Sequence, residues 1–308
     1  MEERFYSFSK YLKDKFGEKV QRISLDAGFN CPNIDGSLSS QGCIYCNNRG
    51  FGRYAHSNKP LKEQIKESID FYERSRGVKK FIAYFQSFSN TYAGLNELKE
   101  KYDIIREFPR IVGLFVSTRP DCVDEPKMRL LSSYAKDYLV WVEYGLQTTN
   151  ERILKNINRN HSYKDFLLAV EMAKKYDVNV GVHLIFGLPL ATHQDMLRDI
   201  QKMAELDIQG IKFHVLHVLS GTGLEEPYRQ GKVKLFTKEE YVKLVVDSLE
   251  RLPQKCVILR LVSDPAKDYL IAPDWINRKS EVINNIRAEL EKRKAYQGCL
   301  YETGSAKN

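Results

Sequence analysis

Apolar runs with the length of a β-strand alternate along this chain with segments whose apolar residues recur every three or four positions. The strand-length runs predict six strands, at Val20–Leu25, Lys80–Phe85, Val112–Ser117, Tyr138–Tyr144, Asn179–Phe186 and Gly210–Leu219. The periodic segments predict six helices, one after each strand, at Leu61–Arg76, Leu95–Phe108, Glu125–Ala135, Ser162–Tyr176, His193–Leu206 and Lys238–Leu252. Parallel strands need such crossovers, so the pattern predicts an α/β fold, either a partial or full barrel or an open doubly wound sheet.

Two further segments and two long loops complete the pattern. An apolar run at Val257–Val262 follows the sixth helix, and Glu281–Lys294 has the pattern of a charged helix. We therefore expect an N-terminal helical extension at residues 1–18, a barrel core at 19–253 and a C-terminal extension at 254–308. The loops at 26–58 and 263–280 are unusually long, and long ordered loops in a compact domain are often functional.

The composition narrows the class of protein. The chain has 308 residues, 43% hydrophobic and 29% charged, which excludes disorder over the whole chain. Its longest mostly apolar stretch, Val178–Ala191, is too short to span a bilayer, and the charged N-terminus does not resemble a secretory signal, so we predict a cytoplasmic protein. The 48 basic and 40 acidic residues give a net charge of +8, which permits an anionic partner such as RNA without establishing one.

Three of the six cysteines crowd into the first long loop, at Cys31, Cys43 and Cys46. Three thiolates on one loop can converge on a single metal centre. A four-iron cluster normally has four thiolate ligands, so three would leave one iron open to a ligand from outside the protein. The remaining cysteines lack partners at ligand spacing, and we predict that they are buried or inert: Cys122, Cys256 and Cys299.

Spacing by itself leaves two other interpretations of this loop open. The three cysteines and His56 have the composition of a structural Cys3His zinc site. Cys43 and Cys46 also have the Cys-x-x-Cys spacing of a redox pair.

Several motifs follow the predicted strands in order. The cysteine loop ends in Cys-Ile-Tyr-Cys with Tyr45 before the last cysteine, and the third strand ends in Ser-Thr-Arg-Pro-Asp from Ser117. The fourth strand carries Glu-Tyr-Gly-Leu-Gln up to Gln147, Arg159 follows twelve residues later, and the fifth strand carries His-Leu-Ile-Phe-Gly-Leu-Pro from His183. Together these motifs resemble the radical SAM superfamily, and in particular the catalytic subunit of Elongator and the YhcC/YtqA-type proteins, over roughly residues 18–265.

The resemblance implies a partial (β/α)6 TIM-like barrel that uses a [4Fe–4S] cluster to cleave S-adenosylmethionine (SAM) reductively and to generate a 5′-deoxyadenosyl radical. It implies that Cys31, Cys43 and Cys46 hold the cluster. It also implies a set of SAM-binding residues: Tyr45, Gln86, Ser87, Ser117, Arg119, Gln147, Arg159, His183 and His214.

Four members of this set carry more specific expectations. Arg159 can offer a bidentate fork to the SAM carboxylate. The glycine pair that the superfamily has after its second strand is missing here, so we expect backbone carbonyls of Gln86 or Ser87 to contact the SAM ammonium. His214 and His217 lie three residues apart on the sixth strand, so on a regular strand at most one of them faces the barrel lumen.

The resemblance further implies that the substrate is the C5 substituent of wobble uridine 34 in tRNA, with an electron donor such as flavodoxin or ferredoxin. Candidate RNA contacts are basic or aromatic residues near the two termini: Lys10, Lys13, Lys15, Lys19, Arg22, Arg287, Lys292, Arg293, Lys294, Tyr296 and Tyr301. Two alternatives stay open, namely a radical SAM enzyme that acts on a small molecule such as a tetrapyrrole, and a non-enzymatic RNA-binding module that carries zinc.

Overall fold

The computed structural model describes residues 3–47, 59–265 and 267–301. Its strands are β1 (Val20–Leu25), β2 (Lys80–Phe85), β3 (Ile111–Thr118), β4 (Leu139–Gln147), β5 (Asn179–Phe186), β6 (Gly210–Val215), β7 (Val218–Leu219), β8 (Val257–Arg260) and β9 (Leu270–Ala272). Its α-helices are α1 (Phe8–Phe16), α2 (Leu61–Arg76), α3 (Leu95–Asp103), α4 (Glu125–Ser133), α5 (Glu151–Asn156), α6 (Tyr163–Lys175), α7 (His193–Glu205), α8 (Glu225–Arg229), α9 (Lys238–Leu249) and α10 (Lys279–Lys292).

Seven strands form one parallel sheet in the order β1-β2-β3-β4-β5-β6-β8. The order never reverses, which excludes the doubly wound alternative, since that fold has a switch point in its strand order. The sheet is strongly curled, because Lys212 on β6 reaches Tyr84 on β2 with 2.8 Å between Nζ and the phenol oxygen. Strands four places apart in a flat sheet would lie about 19 Å from each other. The predicted partial α/β barrel is confirmed.

Two predicted elements differ from the structure. The sixth apolar run is not one strand, because β6 ends at Val215 and Val218–Leu219 forms β7, which pairs antiparallel with β9. The run at Val257–Val262 contributes β8, which pairs parallel with β6 as the seventh strand of the main sheet. The domain boundaries at 18/19 and 253/254 stay a prediction.

Helix starts follow local sequence signals. Helices α6, α7 and α9 each begin with a capping box, in which a hydroxyl side chain accepts a hydrogen bond from a backbone NH three residues on and that residue's carboxylate accepts one from the cap. The pairs are Ser162 with Asp165, Thr192 with Asp195, and Thr237 with Glu240. None of the helices in the described part of the chain is long and apolar enough to cross a membrane.

An aromatic layer fills the end of the barrel where the strands begin. The rings of Phe115 and Trp141 stack with centroids 5.5 Å apart, and Tyr11 of α1 meets Trp141 edge-on at 5.7 Å. A Cβ at Gly210 would come within 2.8 Å of the Trp141 ring, so β6 needs glycine there. Ser7, just before α1, bridges to Ile258 of β8, and Leu12 is buried in the same apolar cluster. Helix α1 therefore covers this end and leaves the opposite end as the entrance to the lumen.

Candidate functional site

A pocket of about 160 Å³ lies at the carboxyl ends of the strands. Eleven of the twelve residues predicted for the cluster and SAM line it: Cys31, Cys43, Tyr45, Cys46, Gln86, Ser117, Arg119, Gln147, Arg159, His183 and His214. Ser87 is the exception. It is buried but does not line the pocket, whereas Gln86, Phe88 and Ser89 do.

The cysteine loop is anchored to the segment that follows α5. The Asn33 amide donates to Cys43 Sγ at 3.3 Å and to the Asn158 carbonyl at 2.7 Å, and its oxygen accepts from Asn160 at 2.7 Å. The Asn158 amide donates to the Gly42 carbonyl at 2.6 Å. Asn158 and Asn160 both have positive φ (53° and 52°), a conformation that asparagine tolerates better than most residues. No role was predicted for these asparagines, although the sequence shows the alternation Asn-Arg-Asn.

Arg159 is held beside Cys43 by its neighbours. Its Nε and Nη2 donate to the Gly145 carbonyl at 3.1 and 2.5 Å, and its Nη1 lies 3.6 Å from Cys43 Sγ. Nε also donates to His161 Nε2 at 2.9 Å, and burial together with the charge of Arg159 lowers the pKa of His161 to about 2. His161 is therefore neutral and accepts from the guanidinium. Two nitrogens of the guanidinium that was expected to bind the SAM carboxylate therefore donate to Gly145, and the third, Nη1, lies near the sulfur of Cys43.

Arg119 lines the same pocket, and one of its three guanidinium nitrogens has no partner among the described residues. Its Nε and Nη2 donate to the two carboxylate oxygens of Asp121 at 2.9 and 2.8 Å. Its Nη1 is buried and has no partner among the described residues, and the same is true of His214 Nε2. Buried polar atoms are nearly always hydrogen-bonded, so these two atoms point to a ligand that completes the pocket.

The three cysteines that line the pocket have the donor chemistry that a [4Fe–4S] cluster needs. Burial and the neighbouring sulfurs of Cys43 and Cys31 raise the pKa of the Cys46 thiol, so three thiolates need compensating positive charge. Within the described ranges no three Cys, His, Asp or Glu side chains form a site for one metal ion. A tetrahedral zinc site would require sulfurs within about 4 Å of one another, since Zn–S bonds are about 2.3 Å long, whereas a cluster binds each thiolate on a different iron. His56, the proposed fourth zinc ligand, lies outside the described residues.

A buried charge cluster lies in the lumen below the pocket. Glu143 accepts from Lys212 Nζ at 2.8 Å, from the Tyr84 hydroxyl at 2.9 Å and from Arg22 Nη1 at 3.0 Å, and it lies 2.6 Å from His183 Nε2. Burial would raise the pKa of Glu143, but Lys212 and Arg22 hold it well below its usual range. Burial and the charge of Lys212 lower the pKa of His183 to about 4, so the neutral ring donates to the carboxylate.

This cluster was not predicted, although the sequence contains a signal for it. Glu143 and Lys212 each stand inside an otherwise apolar strand, where an unpaired charge would be costly. The cluster also corrects the interpretation of Arg22 as a surface contact for RNA, because its guanidinium binds Glu143 within the barrel. His214 and His217 both line the pocket, since β6 ends at Val215 and the alternation of a regular strand does not reach His217.

Two family models together match most of the chain. The model of the radical SAM superfamily matches residues 39–203, and the model of the radical SAM C-terminal domain matches residues 208–292. The chain belongs to the radical SAM superfamily. It is a radical SAM enzyme, and a [4Fe–4S] cluster and SAM are the cofactors of its family.

Relatives and a solved structure agree with this assignment. YtqA of Bacillus subtilis is 36% identical over 302 residues, which cover 98% of this chain and 94% of YtqA. A tRNA uridine(34) acetyltransferase of Methanocaldococcus jannaschii is 26% identical over 148 residues, 47% of this chain and 27% of that protein. The fold is similar to that of Methanocaldococcus infernus Elp3, with a TM-score of 0.68, 17% identity, and coverage of 90% of this chain and 64% of that one. The resemblance to Elongator-like radical SAM proteins is therefore confirmed.

The cysteines outside the loop differ in their surroundings. Cys122 and Cys256 are buried, and burial raises the pKa of each thiol to about 12. Cys299 is partly exposed. The prediction of buried or inert thiols fits the first two.

Proposed function

We propose that this enzyme binds a [4Fe–4S] cluster through Cys31, Cys43 and Cys46 and modifies the C5 substituent of wobble uridine 34 in tRNA. The observation that carries the substrate is the alignment with a tRNA uridine(34) acetyltransferase, which spans 148 residues. We further propose that the enzyme works in the cytoplasm and receives its electron from a flavodoxin or a ferredoxin. When bound, cluster and SAM supply a 5′-deoxyadenosyl radical.

In this proposal the pocket residues divide into two groups. Arg159 acts at the cluster, because Nη1 lies on Cys43 Sγ and can compensate the negative charge of a thiolate. Arg119 acts at SAM, because its unpartnered Nη1 can bind the methionyl carboxylate. Gln147 and Ser117 line the same pocket and can hydrogen-bond polar atoms of SAM. The assignment of the carboxylate thus shifts from Arg159 to Arg119.

The surface charges favour one direction of approach for RNA. Lys13, Lys15 and Lys19 are exposed and form no ion pair with any described residue. They lie where the strands begin, however, and the six residues of β1 separate that end from the pocket by about 20 Å. At the cysteine end, Arg152 and Lys155 on α5 are exposed and also lack ion-pair partners among the described residues. We propose that phosphates of the RNA contact α5.

The C-terminal basic residues contribute less to this interface. Arg293 binds Asp247 at 2.6 Å and Glu289 at 2.8 Å, so its charge is compensated within the protein. Lys292 and Arg287 have acidic neighbours at 3.8 and 3.9 Å. Exposed pairs of this kind leave little net charge for a phosphate.

Nucleoside analysis tests the substrate. Transfer RNA from cells with and without the gene is digested, and its nucleosides are compared by mass spectrometry. We expect a change at wobble uridines that the wild-type gene reverses and that Cys43→Ser, which removes one proposed ligand, does not. Identical wobble nucleosides in all strains would exclude this substrate and favour a small molecule.

Charge reversal tests the direction of approach. Arg152→Glu/Lys155→Glu should weaken tRNA binding and lower the slope of log K against log salt by about 2, roughly 1 for each lost phosphate contact. Lys13→Glu/Lys15→Glu has the same charge change and is the matched control, expected to bind as the wild type does. The opposite ranking would show that the RNA contacts the α1 end.

A further inference from the structure

A second cavity of about 200 Å³ lies in the lumen next to the cysteine pocket. It is lined by Arg22 and Ser24 of β1, by Ser68 and Tyr72 of α2, and by residues at or just beyond the ends of β6 and β8. Four residues line both spaces: Gln86, His214, His217 and Arg260. We call this space the Arg260 cavity. A group bound in it would lie beside whatever occupies the pocket.

The Arg260 cavity has an excess of positive charge. Arg22 and Lys212 share the one buried carboxylate of the cluster, Glu143, whereas Arg260 forms no hydrogen bond or ion pair with any described residue. Asp264 also lines the cavity, but its carboxylate pairs with Lys279 at 3.1 Å and is mostly exposed. Burial and the nearby charge of Arg22 lower the pKa of Arg260, and the charges of Asp264 and Glu143 offset this only in part.

Neutral donors accompany this cation. The Gln86 side-chain oxygen accepts from Ser24 at 2.8 Å, which leaves the amide NH2 to donate to a ligand. His214 has a buried Nε2 without a partner, and Ser263 Oγ lies 3.4 Å from its Nδ1. In the tautomer that carries its proton on Nε2, the neutral ring can donate to a ligand from that atom.

We infer that the Arg260 cavity binds an anionic group of the substrate, a carboxylate or a phosphate, with Arg260 as its ion-pair partner and with Gln86 and His214 as donors. Arg260 is partly buried, and an unpaired guanidinium shielded from bulk water is costly unless a ligand supplies the negative charge. This inference rests on the proposed function only in that it names a group the substrate carries. It holds for an RNA substrate and for a small acidic one.

Small-anion binding tests the inference without tRNA or turnover. The reconstituted holoenzyme is saturated with SAM, which fills the cofactor's own carboxylate site, and is titrated at constant ionic strength with acetate, inorganic phosphate or neutral acetamide by ligand-observed NMR. We expect acetate or phosphate to bind the wild type and acetamide to bind at least tenfold more weakly. Tighter acetate binding would indicate a carboxylate, and tighter phosphate binding a phosphate.

Two variants and a control assign the binding to Arg260. Arg260→Gln should weaken anion binding roughly tenfold or more, the loss expected for a charged hydrogen bond, and Arg260→Lys should recover part of it. Arg278→Gln removes an exposed arginine that pairs with Glu281 and should bind as the wild type does. If Arg260→Gln does not fold, Gln86→Leu replaces it in the test, because it leaves every buried charge in place. It should weaken anion binding by about threefold or more.

Two results would each overturn the inference. The first is an unchanged anion affinity in Arg260→Gln or, if that variant does not fold, in Gln86→Leu. The second is acetamide binding as tightly as acetate. Failure of the proposed function would look different. Wobble nucleosides would then be the same with and without the gene, while Arg260-dependent binding of acetate or phosphate persisted.

Discussion

The charge cluster in the lumen makes a direct prediction for stability. Lys212 and Glu143 have side chains that are 2% and 0% exposed, and their charged atoms lie 2.8 Å apart. Lys212→Met removes the cation but leaves the carboxylate bound to Arg22 and His183. Glu143→Gln removes the only buried anion of the cluster and leaves Lys212 and Arg22 facing each other. We expect both variants to be destabilised, Glu143→Gln more strongly.

The magnitude follows from what each variant leaves behind. Removing one partner of a buried ion pair costs about 3–5 kcal/mol of unfolding free energy. We therefore expect losses of about 3 kcal/mol for Lys212→Met and about 5 kcal/mol for Glu143→Gln. With an unfolding entropy of about 2.1 cal/mol/K per residue, the 308 residues change Tm by about 1.5 °C per kcal/mol. The expected decreases are therefore roughly 5 and 8 °C. The double variant should lose about 2 kcal/mol less than the sum, since each change removes the group that the other leaves unpaired.

Thermal and denaturant unfolding of all variants in the same cluster-loading state measures these values. Lys255→Met is the control, because Lys255 pairs with Asp207 at the surface, at 72% and 58% side-chain exposure, and should cost less than about 1 kcal/mol. A Lys212→Met variant as stable as this control, or strictly additive effects in the double variant, would refute the account of the lumen as a coupled charge cluster.

Three further predictions concern the pocket. The pKa of His161 is about 2 in the folded protein, below its value in the unfolded chain, so the unfolded chain binds more protons below about pH 6.5. Lowering the pH from 7.5 to 5 should therefore decrease the free energy of unfolding of the wild type by about 2 kcal/mol more than that of His161→Gln. A Cβ at Gly145 would lie 2.8 Å from Arg159 Nη2, so Gly145→Ala should lose about 1–3 kcal/mol in thermal unfolding and bind SAM more weakly, whereas Gly94→Ala, where a Cβ meets open space, should do neither. Anaerobic reconstitution should give about four irons per wild-type chain and far fewer in Cys43→Ser, with Cys256→Ser as a control; colourless protein filled with zinc would contradict the cluster.

Much of the fold could be predicted from local pattern. The strands from Val20–Leu25 to Asn179–Phe186 lie within a residue or a few of their predicted bounds, because buried parallel strands read as short apolar runs between amphipathic helices. The prediction of a single sixth strand was wrong for a specific reason. Apolarity continues through Leu219, but the chain leaves the sheet after Val215 and Leu216 NH bonds to the Phe186 carbonyl instead. Apolar character does not distinguish a strand of the main sheet from a buried crossing.

The pocket could be predicted as a set of residues but not as a set of contacts. Motifs at strand ends identified eleven residues that line it, since the carboxyl ends of parallel strands meet at one edge. The partners of those residues could not be inferred in this way. Arg159 was expected to hold a ligand carboxylate, yet its fork binds Gly145 and its last arm meets Cys43.

The sequence by itself determined the alternation of strands and helices, the three cysteines on one loop and the polar residues at the strand ends, because each is encoded by neighbours in the chain. Only the tertiary structure decided that Lys212 meets Tyr84 and Glu143, 128 and 69 residues away, and that Arg260 lines a cavity with His214 and has no ion-pair partner among the described residues. Such contacts depend on how far the sheet curls and on which strand closes its edge. Curvature and closure arise from the packing of all the strands and helices together, so no local pattern contains them.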